Sequence, residues 1–290
     1  MSTLSFYFKS NFYTVFYTVF LNFFKMIDSR RSIVVVTGSS RGIGREIAVQ
    51  VASKISKDST VVLVARTLSG LQQTKQDIQN VAGVNVETIV ADFESNDTKY
   101  ANEIANIVSQ HAKDAKLVAL FHNAGTVGDL TKRSEQLNCG EDWHKYLQTN
   151  LVSTILLNNA VYSAVQDRIH AKELEFLVID ITSLLAIKAF PSFTQYAIAK
   201  ASREAFFRAF ALENNNVRVL SYSPGPVQTD MRTEVAKQSY AEEIRSAFSD
   251  DGPTDASRTV LTPTQTVSRL MAIIQDGKFE SGSRVDYFDQ

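Results

Sequence analysis

The stretch SIVVVTGSSRGIGREIAVQVASKI, at residues 32–55, decides the fold. A run of β-branched residues ends in the glycine-rich loop TGSSRGIG at 37–44, and an amphipathic stretch follows. Glycines in such a loop permit a tight turn and let backbone N–H groups approach a pyrophosphate at the helix N-terminus. The segment therefore predicts a strand, loop and helix that bind a dinucleotide. The residues expected to contact it are Gly38, Ser40, Arg41, Gly42, Ile43 and Gly44.

From residue 33 onward, short β-branched runs alternate with longer amphipathic stretches, which is typical of βαβ units. We expect residues 26–290 to form a single α/β domain of the Rossmann-type, doubly wound kind, with about seven parallel strands and helices on both faces. Strands are predicted at 32–38, 60–66, 84–92, 116–125, 174–183, 216–225 and 284–288, and a long helix at 143–165. The polar segment 226–262, with one helix predicted at 236–247, is interpreted as a lid over the substrate.

Composition narrows the class of protein. The chain has 30 basic and 31 acidic residues, a net charge of −1 that gives no reason to expect a nucleic-acid partner. The single cysteine, Cys139, rules out an internal disulfide and suggests a reducing compartment, so a cytoplasmic location is expected. No metal site is predicted.

The first 25 residues differ from the rest, because FYFKSNFYTVFYTVFLNFF is rich in Phe and Tyr and is interrupted by Lys9 and Asn11. Its uninterrupted apolar part is too short for a comfortable membrane span of about 20 residues. We place residues 1–25 outside the fold. Two alternatives stay open: the natural start is Met26 and the extension is an artefact, or the extension is real and serves as a signal-like or interfacial anchor.

A second stretch, ITSLLAIKAFPSFTQYAIAK at 181–200, carries side chains suited to catalysis. Tyr196 and Lys200 are four residues apart, so they lie on one face of a helix. A tyrosine with its usual pKa of about 10 needs a nearby positive charge to work near neutrality, and the lysine can supply it. Ser183 ends a predicted strand and can hold a carbonyl oxygen against the tyrosine, which protonates it. Together they predict a carbonyl reductase.

These blocks, with HNAG at 122–125 and SPGPVQTDM at 223–231 in the same chain order, resemble the short-chain dehydrogenase/reductase family. The resemblance implies that Ser183, Tyr196 and Lys200 are catalytic and that the tyrosine and lysine also contact the cofactor. It implies further contacts from Asp92 to the adenine, from Asn123, Ala124 and Gly125 to the nicotinamide ribose, and from Val227 and Thr229 to the carboxamide.

Three other expectations follow from the family resemblance. Asn150 matches the helix position that helps to hold the catalytic lysine through water, although a helix asparagine satisfying the backbone is an open alternative. His122 stands where the family usually has asparagine, and we assign it no catalytic role. Family members commonly pair through their long helices, here 143–165 and 196–212, so a homodimer is expected.

Two arginines predict NADPH as the cofactor. Arg66 ends the second predicted strand, where an acidic residue would instead pair with the ribose hydroxyls of NAD. Arg41 lies in the glycine loop, close enough to share the same phosphate. Two guanidinium groups suit the 2′-phosphate dianion through charge-assisted hydrogen bonds.

Within the family, ARTLSGLQQ at 65–73 and above all the terminal GKFESGSRVDYFDQ at 277–290 resemble the members that reduce pterins. A pterin presents a ring N–H beside an amino N–H, and this pair matches the two oxygens of a carboxylate. Asp286 is the expected anchor, whereas alternation along a strand puts Asp289 on the opposite side. The resemblance also places Ser183, Tyr196 and Gly225 against the substrate.

The expected reaction is therefore the NADPH-dependent reduction of a side-chain ketone of a pterin. A broad-specificity carbonyl or 1,2-diketone reductase is the first alternative. A redox-sensing NADPH-binding protein without catalysis is the second, and the intact serine, tyrosine and lysine argue against it. A lipid carbonyl reductase anchored to a membrane by the aromatic N-terminus is the third.

Overall fold

The computed structural model describes residues 27–95, 98–249 and 259–289. Its centre is a sheet of seven parallel strands in the order β3-β2-β1-β4-β5-β6-β7. The strands are β1 (Ser32–Thr37), β2 (Thr60–Ala65), β3 (Asn85–Val90), β4 (Leu117–His122), β5 (Glu175–Ile181), β6 (Val217–Ser223) and β7 (Ser283–Asp286). The predicted doubly wound α/β fold is confirmed, and each predicted strand overlaps one of these seven.

The α-helices flank this sheet. They are α1 (Gly42–Ala52), α2 (Leu68–Val81), α3 (Lys99–Ala112), α4 (Gly140–Leu147), α5 (Ser153–His170), α6 (Thr194–Glu213), α7 (Asp230–Gln238), α8 (Glu242–Phe248) and α9 (Pro263–Asp276). Helices α1, α2 and α9 cover one face of the sheet, and α3, α5 and α6 cover the other. The central strands are thus buried on both sides, which is why they read as continuous apolar runs in the sequence.

Strand β1 shows how the side chains divide between the two cores. Val34 and Val36 pack into the core under α1, whereas Ile33 and Val35 pack into the core under α5. Strands β1 and β4 are neighbours, and the order of strands reverses between them. In doubly wound sheets, ligands bind beyond the carboxyl ends of the strands at such a reversal. The loops that follow β1, β4, β5 and β6 all reach this edge.

Two helices differ from their predictions. The predicted helix 143–165 is interrupted by a π-helical turn, Gln148–Val152, which separates α4 from α5. The predicted helix 236–247 is instead two helices, α7 and α8. The first of them ends just before Ser239, whose buried hydroxyl forms a hydrogen bond with Ser192 at 2.6 Å. Helix α9 was not predicted, although Thr262 and Gln265 form a capping box at its start.

Some predictions fall on parts of the chain that the structure does not describe. Residues 1–25 lie outside the described ranges, and so do residues 250–258 of the proposed lid at 226–262. Among the described helices, none has the length and apolar character needed to cross a membrane.

Candidate active site

The loop after β1 has a backbone shape that lets a ligand come close. Gly38 (φ +66°) and Gly42 (φ +56°) adopt left-handed conformations that favour glycine. A Cβ added at Gly44 would lie 2.3 Å from the carbonyl oxygen of Gly38, so any side chain there would clash with the loop. The N-cap residue of α1, Arg41, makes no capping hydrogen bond through its side chain. The first N–H groups of α1 therefore suit an anion such as a pyrophosphate.

The other loop residues connect this site to its neighbours. Ser40 lies against Gly70 of α2, and Ile43 packs on the core. The exposed guanidinium of Arg41 pairs with the carboxylate of Asp230 at the start of α7. Arg41 thus ties the glycine loop to the segment 226–262.

Two predicted cofactor contacts lie along the same edge of the sheet. Arg66 directly follows β2 and is exposed to solvent. Asp92 lies just beyond β3, is also exposed, and accepts a hydrogen bond at 3.1 Å from the backbone N–H of Glu94. Asp92 therefore caps its own turn, as an aspartate often does, and leaves carboxylate acceptor capacity for a ligand.

The HNAG loop after β4 is locked to the glycine loop. The hydroxyl of Thr37 accepts hydrogen bonds from the backbone N–H groups of Asn123 (3.0 Å) and Ala124 (3.1 Å). The side-chain amide of Asn123 donates to the carbonyls of Thr37 (3.1 Å) and Gly38 (3.2 Å). His122 is buried beside Phe207, and burial lowers its pKa to about 3, so it is a neutral core residue near pH 7.

Asn150 sits in the π-helical turn and bridges to the loop after β4. Its Oδ1 accepts from the backbone N–H of Thr126 at 2.7 Å, and its amide donates to the carbonyl of Tyr146 at 3.1 Å. A Cβ added at Gly125 would lie 2.8 Å from Oδ1, so the HNAG loop needs glycine there. The asparagine therefore bonds to backbone groups of its own turn and of the loop after β4. The irregular turn is what brings it to the loop, and π-bulges of this kind are frequent at functional sites.

Ser183, Tyr196 and Lys200 come together at the carboxyl end of β5. Ser183 follows this strand, and its hydroxyl accepts a hydrogen bond from the N–H of Leu185 at 3.2 Å. Tyr196 and Lys200 are one turn apart on α6, and the lysine ammonium lies 5.4 Å from the centre of the tyrosine ring. Lys200 also donates to the carbonyl of Ile181 at 2.5 Å. The hydroxyl groups of Ser183 and Tyr196 therefore lie together, with the buried amine of Lys200 beside them.

Burial is the largest cause of the pKa shifts of Tyr196 and Lys200. It raises the pKa of Tyr196 to about 12, while the guanidinium of Arg203 and a hydrogen bond with Ser183 oppose the rise. Burial, with a smaller effect of the Arg203 guanidinium in the same direction, lowers the pKa of Lys200 to about 7. The phenol is therefore protonated near neutrality and is in the form that donates a proton. The cation that lowers the tyrosine pKa here is Arg203, a role that sequence analysis gave to Lys200.

Beneath these residues lies a buried ion pair that sequence analysis missed. Arg203 of α6 pairs with Asp180 of β5, and both side chains are at most 1% exposed. The same guanidinium donates to the carbonyls of His122 (2.6 Å) and Ala124 (3.0 Å). Asp180 is a carboxylate inside the apolar strand EFLVIDI, and Arg203 lies seven residues after Tyr196 on the same helix. These two features, a carboxylate inside an apolar strand and an arginine on the tyrosine's helix, could have indicated the ion pair from the sequence.

The segment after β6 closes another side of the site. Gly225 has φ +74°, and a Cβ there would come within 3.1 Å of Leu261 and 3.3 Å of Phe288. Val227 forms a parallel bridge with Leu261. Thr229 is the N-cap residue of α7, with its hydroxyl 3.4 Å from the carbonyl of Val227. The segment 226–262 thus begins at the same edge as the glycine loop.

Asp286 ends β7 and is 26% exposed. Its two carboxylate oxygens accept hydrogen bonds from Arg284, at 2.9 Å from Nη2 and 3.0 Å from Nε. Arg284 also donates to the carbonyl of Ser183 at 2.9 Å, which links the end of β7 to the serine. Asp289 lies beyond the strand, and its carboxylate accepts from the N–H of Asp286 at 2.8 Å. Asp289 therefore stabilises the terminal turn.

Known proteins resemble this chain over most of its length. A model of the family described as short chain dehydrogenase matches residues 32–239. Sepiapterin reductase of Bos taurus is 30% identical over 263 residues, which cover 90% of this chain and 96% of the relative. Sepiapterin reductase of Xenopus laevis is 29% identical over 256 residues, which cover 88% and 95%.

The fold also has solved counterparts. L-sorbose reductase from Gluconobacter frateurii, in complex with NADPH and L-sorbose, superposes with a TM-score of 0.73 at 20% identity and covers 90% of this chain and 96% of its own. At that identity the likeness concerns the fold. The family match and the sepiapterin reductases carry the assignment: the chain belongs to the short-chain dehydrogenase family, as an oxidoreductase that acts on an alcohol or carbonyl group of a small molecule with a nicotinamide cofactor.

Proposed function

We propose that this protein reduces the side-chain ketone of a pterin with NADPH. Sepiapterin and 6-pyruvoyl-tetrahydropterin are the proposed substrates, in the last step of tetrahydrobiopterin synthesis. The observation that carries the proposal is the carboxylate of Asp286, which a shared arginine connects to the backbone of Ser183. The similarity to sepiapterin reductases over 90% of the chain supports it.

The chain's own residues divide the chemistry among them. Tyr196 donates a proton to the carbonyl oxygen, and Ser183 steadies that oxygen by a hydrogen bond. Lys200 binds the ribose hydroxyls of the cofactor and supports the tyrosine. Asn150 holds the loop that carries Gly125 and keeps water in place for the lysine. When bound, the nicotinamide supplies the hydride to the carbonyl carbon.

The glycine loop fits a dinucleotide, because the backbone around Gly38 and Gly44 leaves no room for side chains. Gly38, Ser40, Arg41, Gly42, Ile43 and Gly44 hold the pyrophosphate, and Asp92 meets the adenine. Asn123, Ala124, Gly125, Val227 and Thr229 surround the nicotinamide and its ribose. Arg66, exposed at the end of β2, binds the 2′-phosphate of NADPH, with Arg41 beside it.

The substrate lies between the nicotinamide and the terminal strand. Asp286 accepts the ring N–H and the amino N–H of the pterin, and Gly225 lies against the substrate. The described parts of the segment 226–262, residues 226–249 and 259–262, cover the substrate as a lid. The anchor turns the pterin so that its side-chain ketone faces Tyr196.

Replacement of Asp286 by asparagine tests the pterin anchor. An amide opposes one of the pterin donors with its own N–H group, so kcat/KM for sepiapterin is expected to fall about 100-fold. Reduction of an apolar 1,2-diketone, which makes no use of the carboxylate, is expected to change less than about threefold. NADPH oxidation by the purified full chain measures both, and Asp289→Asn tests the alternative carboxylate.

The outcome separates two functions. Loss confined to sepiapterin supports a pterin reductase. Equal activity of wild type and Asp286→Asn on the diketone, with none on sepiapterin in either, makes the protein a broad-specificity carbonyl or 1,2-diketone reductase. The ion pair of Asp286 with Arg284 occupies one lone pair of each carboxylate oxygen and leaves the other for a ligand, so it does not decide between the two functions.

Replacement of Arg66 by alanine tests the choice of cofactor. Loss of charge-assisted hydrogen bonds to the 2′-phosphate is expected to raise KM for NADPH about 10- to 100-fold. NADH lacks this phosphate, so its KM is expected to stay the same. Steady-state kinetics with both cofactors measure the difference, and an equal change in both KM values would remove Arg66 from phosphate binding.

We also propose that the protein works as a cytoplasmic homodimer, with residues 26–290 as its single NADP-binding domain. The long helices α5 and α6 carry large apolar side chains that are exposed in the single chain. Leu156, Ile198 and Leu212 are 37%, 43% and 85% exposed. Exposed apolar groups on these helices fit pairing with a second copy. Sedimentation of wild type and Leu156→Lys measures the oligomeric state.

A further inference from the structure

Three charged side chains meet beside the proposed pterin anchor. Arg284 and Asp286 are two residues apart on β7 and lie on the same face of this strand. Glu204 of α6 approaches them from the helix and forms an ion pair with Arg284. Glu204 is 4% exposed on its side chain, and Arg284 is 16% exposed. The arginine is therefore held in a largely buried position between the helix and the strand.

The guanidinium of Arg284 uses all three of its nitrogens. Nε and Nη2 donate to the two oxygens of Asp286, and Nη1 donates to the carbonyl of Ser183 and to the carboxylate of Glu204. A planar guanidinium holds its N–H groups in a fixed fork, so these partners cannot move independently. Arg284 consequently sets the distance and the angle between the Asp286 carboxylate and the backbone of Ser183.

The ion pair leaves the carboxylate able to bind a ligand. An ionised carboxylate offers about four acceptor positions, and the arginine takes one on each oxygen. One outward-facing position on each oxygen remains, and an N–H donor of a ligand can bind there. A lysine would provide the charge without the fork.

We propose that Arg284 is a positioning residue that aims Asp286 relative to Ser183 and so sets the specificity of the site for substrates that present N–H donors. This inference rests on the proposed pterin reduction. Arg284 acts through Asp286 and the backbone of Ser183, and it takes no part in proton transfer.

The test compares Arg284→Met and Arg284→Lys with Arg208→Met in the full chain. Arg208 pairs with the same Glu204 at 3.7 Å but is 58% exposed and does not contact Asp286, so it is a matched control for the loss of a cation. KM and kcat are measured for sepiapterin and for an apolar 1,2-diketone, and thermal melting checks that each variant is folded.

Arg284→Met and Arg284→Lys are both expected to raise KM for sepiapterin about tenfold or more, because either change removes the bidentate fork. Arg208→Met and the diketone reactions are expected to change less than about threefold. In an Asp286→Asn background, Arg284→Met is expected to add no further loss.

Four results would overturn the inference. They are rescue by lysine, equal loss on both substrates, equal loss in Arg208→Met, and an undiminished loss in the Asp286→Asn background. If Arg284→Met fails to fold, Arg284→Lys keeps a cation beside Glu204 and decides alone. Wild type without any turnover of sepiapterin overturns the proposed function itself, and the inference with it, and so is distinct from these four results.

Discussion

Replacement of Tyr196 by phenylalanine is expected to lower kcat for carbonyl reduction by about 10²–10⁴-fold, because the variant has no proton to donate at this position. The ring itself is retained, and with it the contacts to Phe193 and Lys200, whose distances to the ring centre are 6.3 Å and 5.4 Å. NADPH binding is therefore expected to stay near that of the wild type. Steady-state kinetics and cofactor fluorescence titration measure the two quantities separately.

A second buried tyrosine provides the control for this prediction. Tyr146 lies near the same site, is 7% exposed, and donates to the carbonyl of Thr126 at 3.2 Å. Tyr146→Phe removes one hydrogen bond but no proposed proton donor, so kcat is expected to change by less than about tenfold. Turnover retained in Tyr196→Phe would take Tyr196 out of its proposed role. An equal loss in both variants would point to packing as the cause.

The raised pKa of Tyr196 adds a pH criterion. With a pKa of about 12, the phenol stays protonated throughout the neutral range. A proton donor in this form predicts that the wild-type reduction rate does not fall between pH 6 and about pH 8 through loss of the tyrosine proton. A fall in kcat on that limb would have to come from another group, and Lys200, with a pKa of about 7, is a candidate.

The fold was largely predictable because buried parallel strands read as continuous apolar runs, and β1, β2, β4 and β5 are such runs. The breaks in the helices were not predictable from local patterns. The turn at Gln148–Val152 accompanies hydrogen bonds between Asn150 and Thr126, which is 24 residues earlier in the chain. Contacts at such separation leave no periodic signal in a short window.

The candidate site likewise has residues that the sequence predicts and contacts that it does not. Ser183, Tyr196 and Lys200 could be found by helix spacing and chain order. The partners of Arg284 could not, because they come from two other segments: Glu204 from α6 and the Ser183 carbonyl from the loop after β5. From the sequence alone, a charged residue on an edge strand is expected to be exposed to solvent. Its burial becomes evident only when the helix that packs on it is known.

Arg203→Met is expected to destabilise the folded protein by about 3–5 kcal/mol, since it leaves the carboxylate of Asp180 buried without its counter-ion. The variant also deprives the carbonyls of His122 and Ala124 of a donor, and an unpaired buried acceptor adds to the loss. Urea denaturation followed by circular dichroism measures the free energy of unfolding. Arg31→Met removes an exposed pair with Asp114, 41% and 61% exposed, and is expected to change this free energy much less.

The double variant decides whether the pair or the loop contacts matter more. Asp180→Asn removes the buried charge, so Arg203→Met in that background no longer leaves a buried carboxylate without its counter-ion. If the ion pair dominates, the double variant is expected to be more stable than Arg203→Met alone, and the coupling energy in the cycle is large. If instead the losses of the two single variants add, the guanidinium stabilises the fold through the carbonyls of His122 and Ala124. Its main role is then to hold the HNAG loop against helix α6.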